Sequence, residues 1–112
     1  MFKLDDLISE LTQWIDDNIH LKITINDLTA HSGYSKWYLQ RVFHMVEGKT
    51  IYEYIRDEKL YRVANDLVLS RDTLDDIRCR YGYQSKQSFT RSFTKQYNLS
   101  PLKYRLKHTR EK

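Results

Sequence analysis

The chain has 112 residues, enough for one ordinary domain or two very small ones sharing a core, and too few for a large multidomain enzyme. Its 19 Lys and Arg against 15 Asp and Glu give a formal charge of +4, a mild pull toward anionic partners. With 40% hydrophobic and 13% aromatic residues, the composition is that of a folded chain with a core and not of a disordered one.

Apolar periods and capping signals are helical from end to end, and no segment reads as a strand. Leu4, Leu7, Ile8, Leu11, Trp14, Ile15 and Ile19 recur at three- and four-residue steps, which stacks them on one face of an amphipathic helix. Thr24 with Asp27, Thr50 with Glu53 and Thr73 with Asp76 each pair a hydroxyl with a carboxylate three residues on, the capping-box pattern, and the match is looser where the acid is the shorter Asp. Ser35 and Ser85 cap two further helices, and Ser100 precedes Pro101 at a first helical position. The predicted helices lie at about 4–20, 25–32, 36–46, 51–69, 74–81, 86–97 and 101–107.

An internal repeat carries more information. Leu28 to Phe43 lies over Ile77 to Phe93, at an offset of 49 up to the Gly-Tyr turn and 50 after it, and Thr50 and Tyr54 again stand 50 residues before Ser100 and Tyr104. Each copy reads as a short helix, a tight turn at Gly33-Tyr34 or Gly82-Tyr83, and a second helix. Gly supplies the positive φ that lets two helices meet steeply, which is the helix-turn-helix pattern. The predicted organisation is all-α, two helix-turn-helix subdomains joined by a long central helix: residues 1–49 with the N-terminal helix and first subdomain, 50–70 the connecting helix, and 71–112 the second subdomain with a basic tail.

On the second helix of the first copy, Leu39, Val42, Phe43 and Val46 cluster inward, leaving Lys36, Trp37, Gln40, Arg41 and His44 outward. On that of the second copy, which Lys86 opens, Phe89 and Phe93 anchor the inner face, and Gln87, Thr90, Arg91 and Thr94 face out. Such sets suit direct readout of double-stranded DNA. Arg holds guanine O6 and N7 with two bonds, Gln holds adenine N6 and N7, and Trp or a Thr methyl packs on the thymine methyl. The competing interpretation of each set is an ordinary solvated face, and an outward Trp37 weighs against it.

Charge placement points the same way. Residues 1–56 carry six basic and eight acidic groups, residues 57–112 thirteen and seven, and from Ile77 to Arg110 there are nine Lys or Arg and no acid. Lys107, Arg110 and Lys112 also fit a solubilising tail. If about six phosphates are neutralised, log K falls against log salt with a slope near −5. The connecting helix, with Ile51, Tyr54, Ile55, Leu60, Ala64, Leu67 and Val68 inward, is about 29 Å long, near the 34–36 Å turn of B-DNA, so the two readers suit successive major grooves.

The stretches Gly33-Tyr-Ser-Lys-Trp-Tyr-Leu-Gln-Arg-Val-Phe43, Tyr54-Ile-Arg56 and Tyr81-Gly-Tyr-Gln-Ser-Lys-Gln-Ser-Phe-Thr-Arg-Ser-Phe93 resemble the AraC/XylS family of transcriptional regulators, closest to its small stand-alone activators of the MarA, SoxS and Rob type. The resemblance runs from about Leu7 to Arg105. It implies a seven-helix fold bound as a monomer to an asymmetric promoter site, contact with RNA polymerase, action on stress or multidrug-resistance promoters in the bacterial cytosol or nucleoid, and base contacts at Trp37, Gln40 and Arg41 and at Lys86, Gln87 and Arg91. It also implies no small-molecule effector domain, since larger members carry one separately. Two departures stand out. The family usually has Gln at the position of Lys86, and a small residue at the positions of Thr29 and Arg78. Arg78 is expected to snorkel outward or displace the first helix of its unit. With Ser92 and Gln96 diluting the inner face around Phe89 and Phe93, the second half is expected to read less sharply than the first.

Nothing points to an enzyme: there is no phosphate-cradling Gly loop and no nucleophile elbow. The histidines at 20, 31, 44 and 108 lack the spacing of a metal pair, and no cofactor or metal is expected. Cys79 is the only cysteine, without a disulfide or zinc partner, and is expected buried on a short helix. Asp5 and Asp6 stand where a secretory signal is basic, and no apolar run reaches the ~18 residues that span a membrane, so a cytoplasmic location is expected. The alternative from another class is a non-enzymatic adaptor that binds RNA or a protein partner through Trp37 and the basic surfaces.

Overall fold

The computed structural model describes residues 4–109. Their regular structure is helical throughout: α1 (Leu4–Asp17), α2 (Ile25–Ser32), α3 (Lys36–Glu47), α4 (Ile51–Leu69), α5 (Leu74–Arg80), α6 (Lys86–Tyr97) and α7 (Pro101–Thr109). Arg110 and Lys112, expected in the basic tail, lie outside the described residues.

From α2 to α7, each helix starts at a hydroxyl that accepts a backbone N–H from the first turn: Thr24 from Asp27, Ser35 from Tyr38, Thr50 from Glu53, Thr73 from Asp76, Ser85 from Ser88 and Ser100 from Lys103. The box closes fully where Asp27 accepts from Thr24 N at 2.8 Å and where Glu53 accepts from Thr50 N at 3.0 Å. The short side chain of Asp27 therefore suffices. Such caps satisfy donors that the helix itself leaves open, each worth about 1 kcal/mol. Helix ends are set by the left-handed region: Gly33 at φ 81° ends α2, Gly48 at φ 75° ends α3, and Asn98 at φ 64° ends α6.

The chain divides into two compact units, residues 1–56 and 57–112, the division falling within α4. In the first, Leu7, Ile8, Leu11, Ile15, Leu28, Leu39, Val42 and Phe43 are buried, and Tyr54 meets Phe43 edge to face at 5.5 Å while its hydroxyl donates to Asp16. In the second, Leu60, Val63, Leu67, Ile77, Tyr81, Phe89 and Phe93 are buried, and Tyr104 meets Phe93 edge to face at 5.3 Å. The aromatic pair thus recurs, as the repeat of Tyr54 and Tyr104 requires. Arg105 Nε donates to the Leu67 carbonyl at 2.8 Å, satisfying an orphan acceptor at the end of α4.

Four details differ from expectation. α1 stops at Asp17 because Asn18 turns its amide back to the Trp14 carbonyl at 2.8 Å, although Ile19 beyond it stays fully buried. Val46 is 37% exposed, since the inward row of α3 ends at Phe43. Cys79 is exposed, its face of α5 turned to solvent while Ile77 fills the core. Arg78 does not snorkel outward: only 16% of its side chain is exposed, and it donates to the Tyr83 carbonyl at 2.7 Å and to Asp75 at 3.1 Å. It ties the turn to the helix before it.

Candidate nucleic-acid interface

Because α3 is fixed by its Ser35 cap, by buried Leu39, Val42 and Phe43, and by Gly48 at its end, its opposite face has a defined orientation. Lys36, Trp37, Gln40, Arg41 and His44 are all exposed on it, Trp37 by 66%. The Arg41 guanidinium lies 5.2 Å from the centroid of the Trp37 ring. A cation over an indole face holds the fork of donors in one plane, a stack worth about 0.5–1 kcal/mol at an exposed site. Trp37, Gln40, Arg41 and His44 then form one wall of an open groove whose other wall is Thr50, Ile51 and Tyr52 at the start of α4, and none of these lining residues is a carboxylate.

In the second unit, Phe89 and Phe93 anchor α6 and leave Lys86, Gln87, Thr90 and Arg91 exposed, while Thr94 is half-buried. Gln96 is exposed as well, so it does not weaken the inner face. Lys86 Nζ stands 4.0 Å from Asp75, with 78% of its side chain exposed, a pair too solvated to hold it there against a phosphate or a base. The positions match across the repeat: Lys36 with Lys86, Trp37 with Gln87, Gln40 with Thr90, Arg41 with Arg91 and His44 with Thr94.

The acid-free basic stretch is less available than its sequence suggests. Arg80 bonds to Asp66 at 2.9 Å and to Asp72, and these hydrogen bonds hold its guanidinium above the ordinary range. Tyr81 donates to the same Asp66 at 2.7 Å, and burial, then this bond, pushes its phenol up to about 12. With Arg78 and Arg105 engaged as above, three arginines of that stretch serve the fold. Lys86, Arg91, Lys95, Lys103 and Lys107 remain exposed.

A helix-turn-helix domain model matches residues 28–107, from α2 into α7. The transcriptional activator AarP of Providencia stuartii is 38% identical over 103 residues, 92% of this chain and 76% of AarP. The regulatory protein SoxS of Escherichia coli is 39% identical over 99 residues, 88% of this chain and 92% of SoxS, and the multiple antibiotic resistance protein MarA of the same organism is 35% identical over 99 residues, 88% of this chain and 78% of MarA. The chain belongs to the AraC/XylS family. Among solved folds, the DNA-binding domain of AdpA in complex with a target DNA superposes with a TM-score of 0.87 at 20% identity, over 94% of this chain and 95% of that one. The fold of that domain therefore accounts for nearly all of the chain. No described helix is long and apolar enough to cross a membrane.

The residue that sequence reasoning missed is Tyr52, which is 73% exposed on the far wall of the α3 groove. The repeat hides it, because its counterpart is Leu102. Only the start of α4 beside α3 brings it to the face of Trp37 and Arg41.

Proposed function

We propose that this AraC/XylS-family chain is a sequence-specific double-stranded DNA-binding transcriptional activator that acts as a monomer in the cytoplasm. In this reading α3 reads one half-site through Trp37, Gln40 and Arg41, with Lys36 and His44 at its edges. α6 reads the other through Gln87, Thr90 and Arg91, with Lys86 and Thr94 beside them. The observation that carries it is the duplicated helix, buried on one side and exposing at matched positions the side chains that pair with base edges. AarP is named an activator and MarA for multiple antibiotic resistance, which supports sites at multidrug-resistance promoters; action at stress promoters and contact with RNA polymerase follow from the family resemblance of the sequence and are part of the proposal. Nothing in the proposal requires catalysis, a metal or a cofactor.

The test is a titration of one selected duplex with the chain, read by anisotropy and by sedimentation of the complex. The expected result is one chain per duplex, with random duplex bound roughly 10³-fold more weakly and RNA of the same sequence no better than random DNA. Equal affinity for selected and random duplex, or tighter binding to RNA, overturns the proposal.

A further inference from the structure

The groove beside α3 holds an exposed aromatic side chain that readout of bases does not use. Tyr52 is the second residue of α4, is 73% exposed, and faces the groove that Trp37, Gln40, Arg41 and His44 line from the other side. An exposed tyrosine ring is usually one that moves freely. Here the Arg56 guanidinium sits 6.0 Å from its ring centroid, one helical turn on, so the ring has a neighbour that favours one orientation. The groove has two aromatic walls, an arginine and a histidine, and no lining carboxylate. That combination suits a sugar flanked by a phosphate. A helix seated in a major groove has a DNA strand along each side, and a residue displayed beside it from a neighbouring element meets backbone before it meets bases.

We infer that Tyr52 is a DNA backbone contact of the first half-site, its phenolic hydroxyl donating a hydrogen bond to one phosphate oxygen while its ring and that of Trp37 flank the adjoining deoxyribose. The inference rests on the reading of α3 as a base-reading helix. The contact belongs to the first unit alone. Leu102 stands at the equivalent place in the second, exposed by 51% and with no hydroxyl to donate.

A tyrosine contact has a signature that separates it from a lysine or arginine contact. The phenol is uncharged, so it displaces no counterion. Its loss lowers affinity without changing the slope of log K against log salt. A hydrogen bond to a charged acceptor is worth roughly a 10- to 150-fold change in affinity.

The experiment compares wild type, Tyr52→Phe, Tyr52→Ala and, as an exposed tyrosine outside the groove, Tyr61→Phe on a selected duplex across a salt series. Neutral methylphosphonates then replace the phosphates of the first half-site one at a time. Tyr52→Phe, which keeps the ring and its packing, is expected to weaken selected and base-substituted duplexes by the same factor, about 10-fold or more, at unchanged slope. Tyr52→Ala should weaken them further, and Tyr61→Phe should leave them alone. One methylphosphonate should penalise wild type and not Tyr52→Phe. Tyr52→Phe within twofold of wild type, or a methylphosphonate penalty equal in the two proteins at every position, overturns the inference while base reading by α3 stands. Loss of all preference for the selected duplex in wild type itself removes the reading beneath it.

Discussion

Arg41 and Trp37 act on each other in the chain alone. Their stack at 5.2 Å restricts a side chain that otherwise loses rotamer freedom on binding, so in the proposed reading Trp37 contributes through Arg41 as well as through its own contact. Arg41→Ala is expected to cost about 1–3 kcal/mol on a selected site, and a double-mutant cycle with Trp37→Ala should show coupling of about 0.5–1 kcal/mol. Strict additivity in anisotropy titrations would show that the stack does not persist on DNA. The Asp66, Arg80 and Tyr81 cluster has a different consequence, for stability. The Tyr81 phenol titrates near 12 in the folded chain against about 10 unfolded. The folded state therefore favours the neutral phenol, a contribution complete below pH 10 and lost as the pH climbs toward 12. Urea unfolding of wild type and Tyr81→Phe should show a gap between their stabilities that is constant below pH 9.5 and narrows above pH 10. A gap that stays constant to pH 11.5 contradicts this.

Among elements, the turn of the first helix-turn-helix depends on one dihedral. At Gly33, φ is 81°, and a Cβ built there meets nothing within 4 Å, so a side chain is opposed by backbone strain alone. Gly33→Ala should destabilise by about 1 kcal/mol. Gly33→Asn should cost less, since Asn98 already ends α6 at φ 64°. Equal losses for the two in thermal unfolding would mean that space, not φ, selects glycine. The same local rules explain what could be read without coordinates. Hydroxyl caps and left-handed stops act within a few residues, so the starts of α2 to α7 were legible from the chain, as were the inner anchors Leu39, Val42 and Phe43 of α3 and Phe89 and Phe93 of α6, while Val46 and Gln96 were misplaced inward. α1 ran long in sequence because Ile19 continues its apolar rhythm while Asn18 has already broken the helix. The fates of Arg78, Arg80 and Arg105 were not legible, because their partners stand 3 to 38 residues away and depend on packing. Tyr52 was hidden for the same reason: its exposure carries meaning only beside α3.

At the scale of the whole molecule, the engaged arginines change the electrostatic expectation. If Arg41 and Arg91 take bases as proposed, and with Arg78, Arg80 and Arg105 on protein groups, the exposed Lys36, Lys86, Lys95, Lys103 and Lys107 are the cations beside the reading helices left for phosphates. The slope of log K against log salt should then lie near −4 to −5, and flatter than about −2 would exclude extensive backbone contact. The two units should also contribute differently, on grounds narrower than the sequence suggested. Arg78 braces its turn and Gln96 faces out, so the second unit is not loosely built. The difference comes from Lys86, a point charge without the two-bonded fork of a glutamine amide or arginine, and from Trp37 and Tyr52, whose repeat counterparts are Gln87 and Leu102. Both units nevertheless read bases in this account, and selection from random duplex DNA with wild type, Arg41→Ala and Arg91→Ala tests that most directly. Wild type should return an asymmetric site, Arg41→Ala should lose sequence information in one half of it, and Arg91→Ala in the other. A palindromic site, or arginine variants that bind more weakly yet select the unchanged sequence, would contradict it.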